Sequence, residues 1–357
     1  MVFFKDLIFS LLEEGHSVNI VTNENEAEVP SCYKKRGCEI FHISCKRTPL
    51  RKETLQAIYQ IKKIVEDGEY DIVHCHTPVA ALCTRLACRN LRKKGLKVFY
   101  TAHGFHFYTG ASFRNWLLYY PVEWLCSRFT DTLITINHED FERAKKHFKT
   151  NNIIYVPGVG IDTNRFVNAK INRADYRRKL NVPENAFMLI SVGELNKNKN
   201  HEVIIRTLAK LSDRDIHYVV AGEGDLLNHL ERISRELGVS AQVHFLGYRS
   251  DIEKIYKASD VCVFPSFREG LPVALMEAMA SGLPCVSSSN RGSMDLIDDK
   301  GGLFCKASNI GSFADAILFL RNNPDLCREM GVYNQIKINE FSIEKVMHIM
   351  KKIYINK

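Results

Sequence analysis

Short β-branched runs alternate with longer amphipathic stretches along the whole chain. Period-two and fully apolar runs predict strands, and apolar residues recurring every three to four positions predict helices. The strand candidates in the first half are 18–22, 39–43, 71–76, 97–103, 131–137 and 153–156. Those in the second half are 187–192, 217–221, 243–246, 261–265 and 284–287. Helices are predicted at 51–66, 115–129, 202–211, 226–237, 272–280, 312–320 and 341–355. Strict alternation of strand and helix predicts an α/β protein whose parallel sheets are covered by helices. The turn Pro157-Gly-Val-Gly160, followed by the apolar-poor stretch 168–178, suits a junction with a linker. The expected organisation is two doubly wound, Rossmann-like domains, 1–165 and 166–340, with a helix at 341–357. Ligands of such domains bind outside the carboxyl ends of the strands, so a cleft there is the expected site. One feature departs from the pattern: the chain opens in an amphipathic helix, 3–14, closed by Gly15-His16. A doubly wound domain ordinarily begins with a strand and a glycine-rich turn, so the first domain is expected to lack its first strand.

Composition narrows this little, because 45% hydrophobic and 25% charged residues in 357 is ordinary for a globular chain. No apolar stretch is long enough to cross a bilayer. The net charge of +8 is uneven, +6 falling within residues 1–170 and +2 in the remainder. A mildly basic first half suits a phosphate-bearing lipid or a membrane surface, and solvated helix faces account for it equally well. No nucleic-acid motif is present. Eleven cysteines are scattered without a C-x-x-C pair, which argues against structural zinc and against a redox motif. No secretory signal is visible, so free thiols in a reducing cytoplasm are expected.

The chemistry concentrates in 264–284, which reads Phe-Pro-Ser-Phe-Arg-Glu-Gly-Leu-Pro-Val-Ala-Leu-Met-Glu-Ala-Met-Ala-Ser-Gly-Leu-Pro. A strand ends near Pro265, a loop carries Glu269, Gly270 and Leu271, and Pro272 suits the first turn of a helix running on through Val273. The free N–H groups and positive dipole end of that helix form an anion site, and Gly270 lets a phosphate approach the backbone. Glu269 and Glu277, with seven residues between them, flank the helix start. Carboxylates accept hydrogen bonds from sugar hydroxyls, so a nucleotide sugar fits. An arbitrary pair of this kind would be a salt-bridged loop residue and a solvated helix residue, but the flanking Gly, Pro and apolar pattern favours the ligand reading.

This stretch resembles the donor site of family 4 retaining glycosyltransferases, which have the GT-B fold. The resemblance extends over nearly the whole chain, through 191–200, 221–225, 245–249, 71–76, 101–105 and 156–162. It implies that Glu269 contacts the transferred sugar, Glu277 holds the ribose hydroxyls and Lys199 neutralises the diphosphate. The family usually carries an Arg where Glu194 stands, which leaves Lys197 as a substitute clamp or Glu194 pointing elsewhere. The matching His103 would sit beside the donor sugar, and Gly222, Gly224, Tyr248 and Arg249 near the nucleotide. On the acceptor side the resemblance points to His76, His106 and Trp116, although a histidine satisfied within the core accounts for His106 equally well. His74 and His76 point the same way on a strand; with no third ligand evident, cleft lining is expected and no metal. No cofactor is implied beyond the nucleoside diphosphate sugar as substrate.

Both tryptophans, Trp116 and Trp124, lie in the aromatic stretch 105–129. A half-wet boundary beside a polyprenyl-linked or glycan acceptor at the inner membrane surface is one reading, and an aromatic-rich core helix is another. The wording Thr101-Ala-His-Gly-Phe-His-Phe-Tyr108 looks like that of enzymes building bacterial capsule or exopolysaccharide repeat units. The resemblance therefore implies transfer of a sugar from a UDP-linked donor with retention, in the cytoplasm or at the inner face of the membrane. A nucleotide-sugar epimerase or hydrolase on the same fold, or a truncated non-catalytic remnant, remain the alternatives.

Overall fold

The computed structural model describes residues 4–23, 29–45 and 52–355. Contacts divide the chain into two units, Met1–Gly160 with Glu344–Lys357, and Ile161–Ile343. The division after Gly160 falls at the end of the turn read from sequence as the junction, five residues before the domain bound of 165.

In the first unit the order is α1 (Lys5–Glu13), β1 (Ile20–Thr22), α2 (Ser31–Lys35), β2 (Ile40–His42), α3 (Lys52–Asp67) and β3 (Ile72–His76). Then come α4 (Pro78–Cys88), β4 (Lys97–Ala102), α5 (Phe113–Ser127), β5 (Thr132–Thr135), α6 (His138–His147) and β6 (Asn152–Tyr155). The first residue of the expected opening helix, Phe3, and the first of the helix at 51–66, Arg51, lie outside the described residues.

Strands β3-β4-β5-β6 form one parallel sheet, while β1 and β2 pair separately. Among the described residues no strand joins β1 to β3. Helix α1 spans both pieces. Leu7 and Leu11 pack with Phe99, Ile134 and Val156, whereas Ile8, Phe9 and Leu12 pack with Ile20 and Tyr33.

The second unit carries α7 (Thr163–Val167), α8 (Arg173–Lys179), β7 (Phe187–Val192), α9 (His201–Leu211), β8 (Ile216–Ala221), α10 (Leu227–Glu236), β9 (Val243–Phe245) and α11 (Ile252–Ala258). It continues through β10 (Val261–Phe264), α12 (Val273–Ala280), β11 (Cys285–Ser288), α13 (Arg291–Leu296), β12 (Gly302–Cys305), α14 (Ile310–Asn322) and α15 (Pro324–Lys337). Its six strands are all parallel, in the order β12-β11-β10-β7-β8-β9. Strands covered on both faces read as near-continuous apolar runs; β8 and β10 are buried throughout, with His217 the polar member of β8.

Two expectations need correction. The stretch 168–178 is not a linker: Asn172 caps α8, whose Arg173 and Arg177 both bind Asp260. Strand β12 escaped the sequence pattern because it is short, glycine-led and half-exposed at the sheet edge.

The last helix, α16 (Ile343–Ile355), places Val346, Met350 and Ile353 in the core of the first unit. Among the described residues none of the eleven cysteines forms a disulfide. Among the described residues no helix is long and apolar enough to cross a membrane.

Candidate active site

The strand order of the second unit dictates where a ligand can bind. From β7 the chain builds outward through β8 and β9, then returns to the opposite flank at β10. β7 and β10 therefore mark the switch point of this sheet, outside whose carboxyl ends the ligands of doubly wound folds bind, and hydrogen bonds tie together the loops that leave them. Lys199 and Glu269 belong to those two loops.

Lys199 Nζ donates to Glu269 Oε1 at 2.8 Å, with both side chains mostly buried. The lysine stem lies over Gly193, where an added Cβ would sit 3.1 Å from Lys199 Cε. The Asn-rich turn is tied down as well. Asn196 Oδ1 accepts the Lys199 N–H at 3.0 Å, Asn198 Nδ2 donates to the Arg268 carbonyl at 2.9 Å, and the Phe267 N–H donates to the Asn198 carbonyl at 2.9 Å. Asn200 holds a left-handed φ of 55° and donates to the Pro265 and Ala307 carbonyls. Lys199 is thus a fixed cation rather than a mobile surface lysine.

Helix α12 begins at Val273, with Pro272 as its N-cap in extended conformation, one residue later than the sequence suggested. No side chain caps it. A proline at the cap has no N–H to lose, and the open first turn still directs N–H groups toward the loop of Glu269, Gly270 and Leu271.

Glu277 lies in the second turn of α12. Tyr256 Oη is 3.4 Å from its Oε2 and donates to the Ala274 carbonyl at 2.8 Å. Burial raises the Glu277 carboxyl to about 7, although Arg165 draws it down. Arg165 is held in turn by Glu253 at 2.6 Å. A carboxyl poised between its two forms near neutrality can both donate and accept hydrogen bonds, which suits vicinal hydroxyls.

Gly222 and Gly224 have a structural reason for their identity. An added Cβ at Gly222 would lie 1.9 Å from the Gly193 carbonyl oxygen, and one at Gly224 would lie 2.6 Å from that of Leu195. These glycines let the turns after β7 and β8 close on each other, joined by Gly193 N–H to Ala221 O at 3.0 Å and Leu195 N–H to Glu223 O at 2.8 Å.

The remaining predicted residues are less engaged with this centre. Tyr248 is exposed. Arg249 is bound through both Nε and Nη2 to Asp251, at 2.8 Å each, an arrangement that holds the Asp251 carboxyl near 2. Glu194 is exposed and accepts from Asn196 Nδ2 at 2.9 Å within its own turn, and Lys197 is exposed beside it.

Sequence reasoning missed Arg291, whose Nε donates to the Glu269 carbonyl at 3.3 Å. Behind it, a Cβ on Gly292 would collide with the Gly270 carbonyl at 2.6 Å. A detectable signal existed: Asn290, Arg291 and Gly292 follow a strand after one intervening residue, and Asn290 caps α13.

In the first unit, His76 ends β3 and His103 directly follows the adjacent strand β4. His76 Nδ1 lies 3.2 Å from His103 Nε2, and the ring of Phe4 covers His76 at 4.2 Å between centroids. His74 lies behind, with Nδ1 2.5 Å from the Tyr354 hydroxyl and Nε2 2.8 Å from Thr101 Oγ1. Burial lowers all three imidazoles, His74 to about 3, so they are neutral at pH 7. Directly after His76, Thr77 adopts φ 63° and ψ 142°, a conformation that costs a β-branched residue energy. His106 stacks on Tyr119 at 4.5 Å, and Trp116 is half-buried against Phe107 and Arg143.

Comparison with known proteins matches both halves of the chain to family models. The model of Glycosyltransferase Family 4 matches residues 2–165, and that of Glycosyl transferases group 1 matches residues 172–337. The chain is 40% identical to EpsD of Bacillus subtilis (strain 168), over 95% of this chain and 89% of that protein. It is 30% identical to the UDP-Gal:alpha-D-GlcNAc-diphosphoundecaprenol alpha-1,3-galactosyltransferase of Escherichia coli, over 98% of this chain and 91% of that enzyme. In fold it is similar to Anabaena Alr3699/HepE, crystallised with UDP, at a TM-score of 0.80 and 18% identity, covering 98% of this chain and 95% of that one.

Proposed function

The chain belongs to the family 4 glycosyltransferases of GT-B fold, and from that premise we propose that it transfers a hexosyl group from a UDP-sugar to a lipid-linked glycan acceptor with retention of configuration. The observation that carries the donor part is the Lys199–Glu269 pair at 2.8 Å, set beside the open first turn of α12 with Glu277 one turn further on. In this reading the diphosphate lies against Lys199 and the N–H groups at the start of α12. Both are fixed in place before reaction, so they stabilise the charge that grows on the leaving group without reorganising. Glu269 orients the sugar hydroxyls, Glu277 takes the ribose, and Arg291 fixes the backbone of Glu269.

The bond from the anomeric carbon to the β-phosphate oxygen breaks, and the acceptor oxygen bonds to that carbon on the same face. The acceptor proton passes to the departing phosphate. His103 and His76, neutral at physiological pH, serve as hydrogen-bonding groups toward sugar hydroxyls rather than as cations.

The lipid-linked acceptor is supported by the 30% identity to an enzyme whose own acceptor is an alpha-D-GlcNAc-diphosphoundecaprenol. A role in capsule or exopolysaccharide assembly is supported by the sequence of residues 101–108 and by the identity to EpsD. Peripheral residence at the inner face of the membrane follows from such an acceptor.

Radiolabelled UDP-glucose, UDP-galactose and UDP-N-acetylglucosamine, each with and without polyprenyl-diphosphate-linked sugar, test the reading. Label should enter the organic phase only when acceptor is present. Release of free sugar at equal rates with and without acceptor would make the chain a hydrolase instead.

A further inference from the structure

Helix α5 is built inside out. Its inward half carries Trp116, Tyr119, Tyr120, Glu123 and Cys126, and its outward half carries Phe113, Leu117, Leu118, Val122, Trp124 and Leu125. Phe113 is 79% exposed, and Leu117 and Leu118 are 63% exposed. Of the charged side chains within the helix, Arg114 is exposed and Glu123 is buried. A helix covered by water on one side and core on the other shows the reverse distribution.

The helix cannot roll to hide this face. Glu123 is bound by Arg85 at 2.7 Å with both side chains buried, and the Arg85 guanidinium stacks 4.3 Å over Tyr100. Rotating α5 would separate that pair inside the core and leave both charges buried without a counter-ion.

The rim of the face is cationic. Arg128, the C-cap of α5, stacks 3.8 Å over Trp124. Arg92 donates to the Arg128 carbonyl at 2.7 Å, which brings Lys93 and Lys94 to the same end, and the Lys149 N–H donates to Ser127 Oγ. Arg114 lies at the other end. The nearby carboxylates Glu123 and Asp131 are each held by an arginine.

We propose that the outward face of α5 is the surface by which this protein docks on an anionic lipid bilayer, its apolar side chains entering the acyl boundary and its cationic rim meeting the headgroups. Apolar burial and electrostatic attraction add in such binding, and Trp suits the interfacial depth. Two copies paired through this face would set their cationic rims against each other, whereas an anionic surface neutralises them. For its purpose the inference rests on the lipid-linked acceptor proposed above, and its test is independent of the donor.

The full chain is floated with vesicles of POPG and POPC in equal parts, and with vesicles of POPC alone. Flotation is expected with the anionic vesicles only, falling as salt rises. The Leu117→Ser/Leu118→Ser/Leu125→Ser variant should lose at least tenfold in partitioning while its calorimetric affinity for UDP stays unchanged. Brominated lipid should quench the wild-type fluorescence, and Trp124→Phe should abolish most of that quenching. Absence of flotation at low salt, or flotation unaltered in the triple variant, would overturn the proposal. A dimer that the triple variant converts to monomer, without vesicle binding, would assign the face to a second copy instead. Loss of UDP binding with flotation intact would sink the donor reading and leave this surface standing.

Discussion

Glu269→Gln and Lys199→Met should move UDP affinity in opposite directions. Without ligand the ammonium and the carboxylate satisfy each other at 2.8 Å in a mostly buried setting. A diphosphate that uses Lys199 must share the ammonium with Glu269. Glu269→Gln keeps the shape, removes the competing charge and frees the cation. A charge-assisted hydrogen bond is worth about 1.5–3 kcal/mol net, and since the gain on freeing the lysine is only part of that, UDP should bind about five- to thirtyfold tighter. Lys199→Met deletes the cation and leaves the carboxylate unpartnered beside the diphosphate. Truncating one member of a buried charge pair costs about 2–5 kcal/mol, so UDP should bind at least about thirtyfold more weakly. Turnover should fall in both variants, by about 10²–10³-fold for the loss of one preorganised electrostatic contact. Calorimetry with UDP and initial rates with the UDP-sugar give the two readings, with thermal midpoints to confirm folding. If Glu269→Gln weakened UDP binding as much as Lys199→Met does, the carboxylate would not compete with the diphosphate for Lys199, and the proposed placement would be wrong.

Two further outcomes follow from the same unit. Burial raises Glu277 from 4.5 to about 7, so the folded state holds its proton more tightly than the unfolded chain. The stability this contributes is complete below about pH 4.5 and disappears as pH rises toward and past 7. Urea unfolding at pH 5 and pH 8 should therefore show the wild type losing stability relative to Glu277→Gln, and parallel behaviour of the two proteins would contradict the shift. Gly222→Ala would drive a Cβ to 1.9 Å from a backbone carbonyl that no side-chain rotation can move. It should destabilise by more than about 3 kcal/mol, as overpacking against backbone does; an unchanged thermal midpoint would show that the two turns can separate.

Much of this chain was legible from one-dimensional pattern. Strands such as Val261–Phe264 announce themselves because burial on both faces selects an unbroken apolar run. The two-glutamate stretch marks a helix start and its carboxylates, since capping and helix periodicity are local rules. The short edge strand Gly302–Cys305 and the helix Arg173–Lys179 were misjudged because distant partners define them. These are the neighbouring strand Cys285–Ser288 in one case and Asp260 in the other.

What only the tertiary structure decided is which residues meet. Lys199 and Glu269 are seventy positions apart in the chain, yet they share a hydrogen bond. Arg291 reaches the same loop from the start of α13, and Gly222 owes its identity to a carbonyl of Gly193. The outward turn of the apolar half of Phe113–Ser127 likewise depends on Arg85, a partner thirty-eight residues away. Periodicity records that a face is apolar, but which way it points is set by the contacts that lock the helix, and those are not local in sequence.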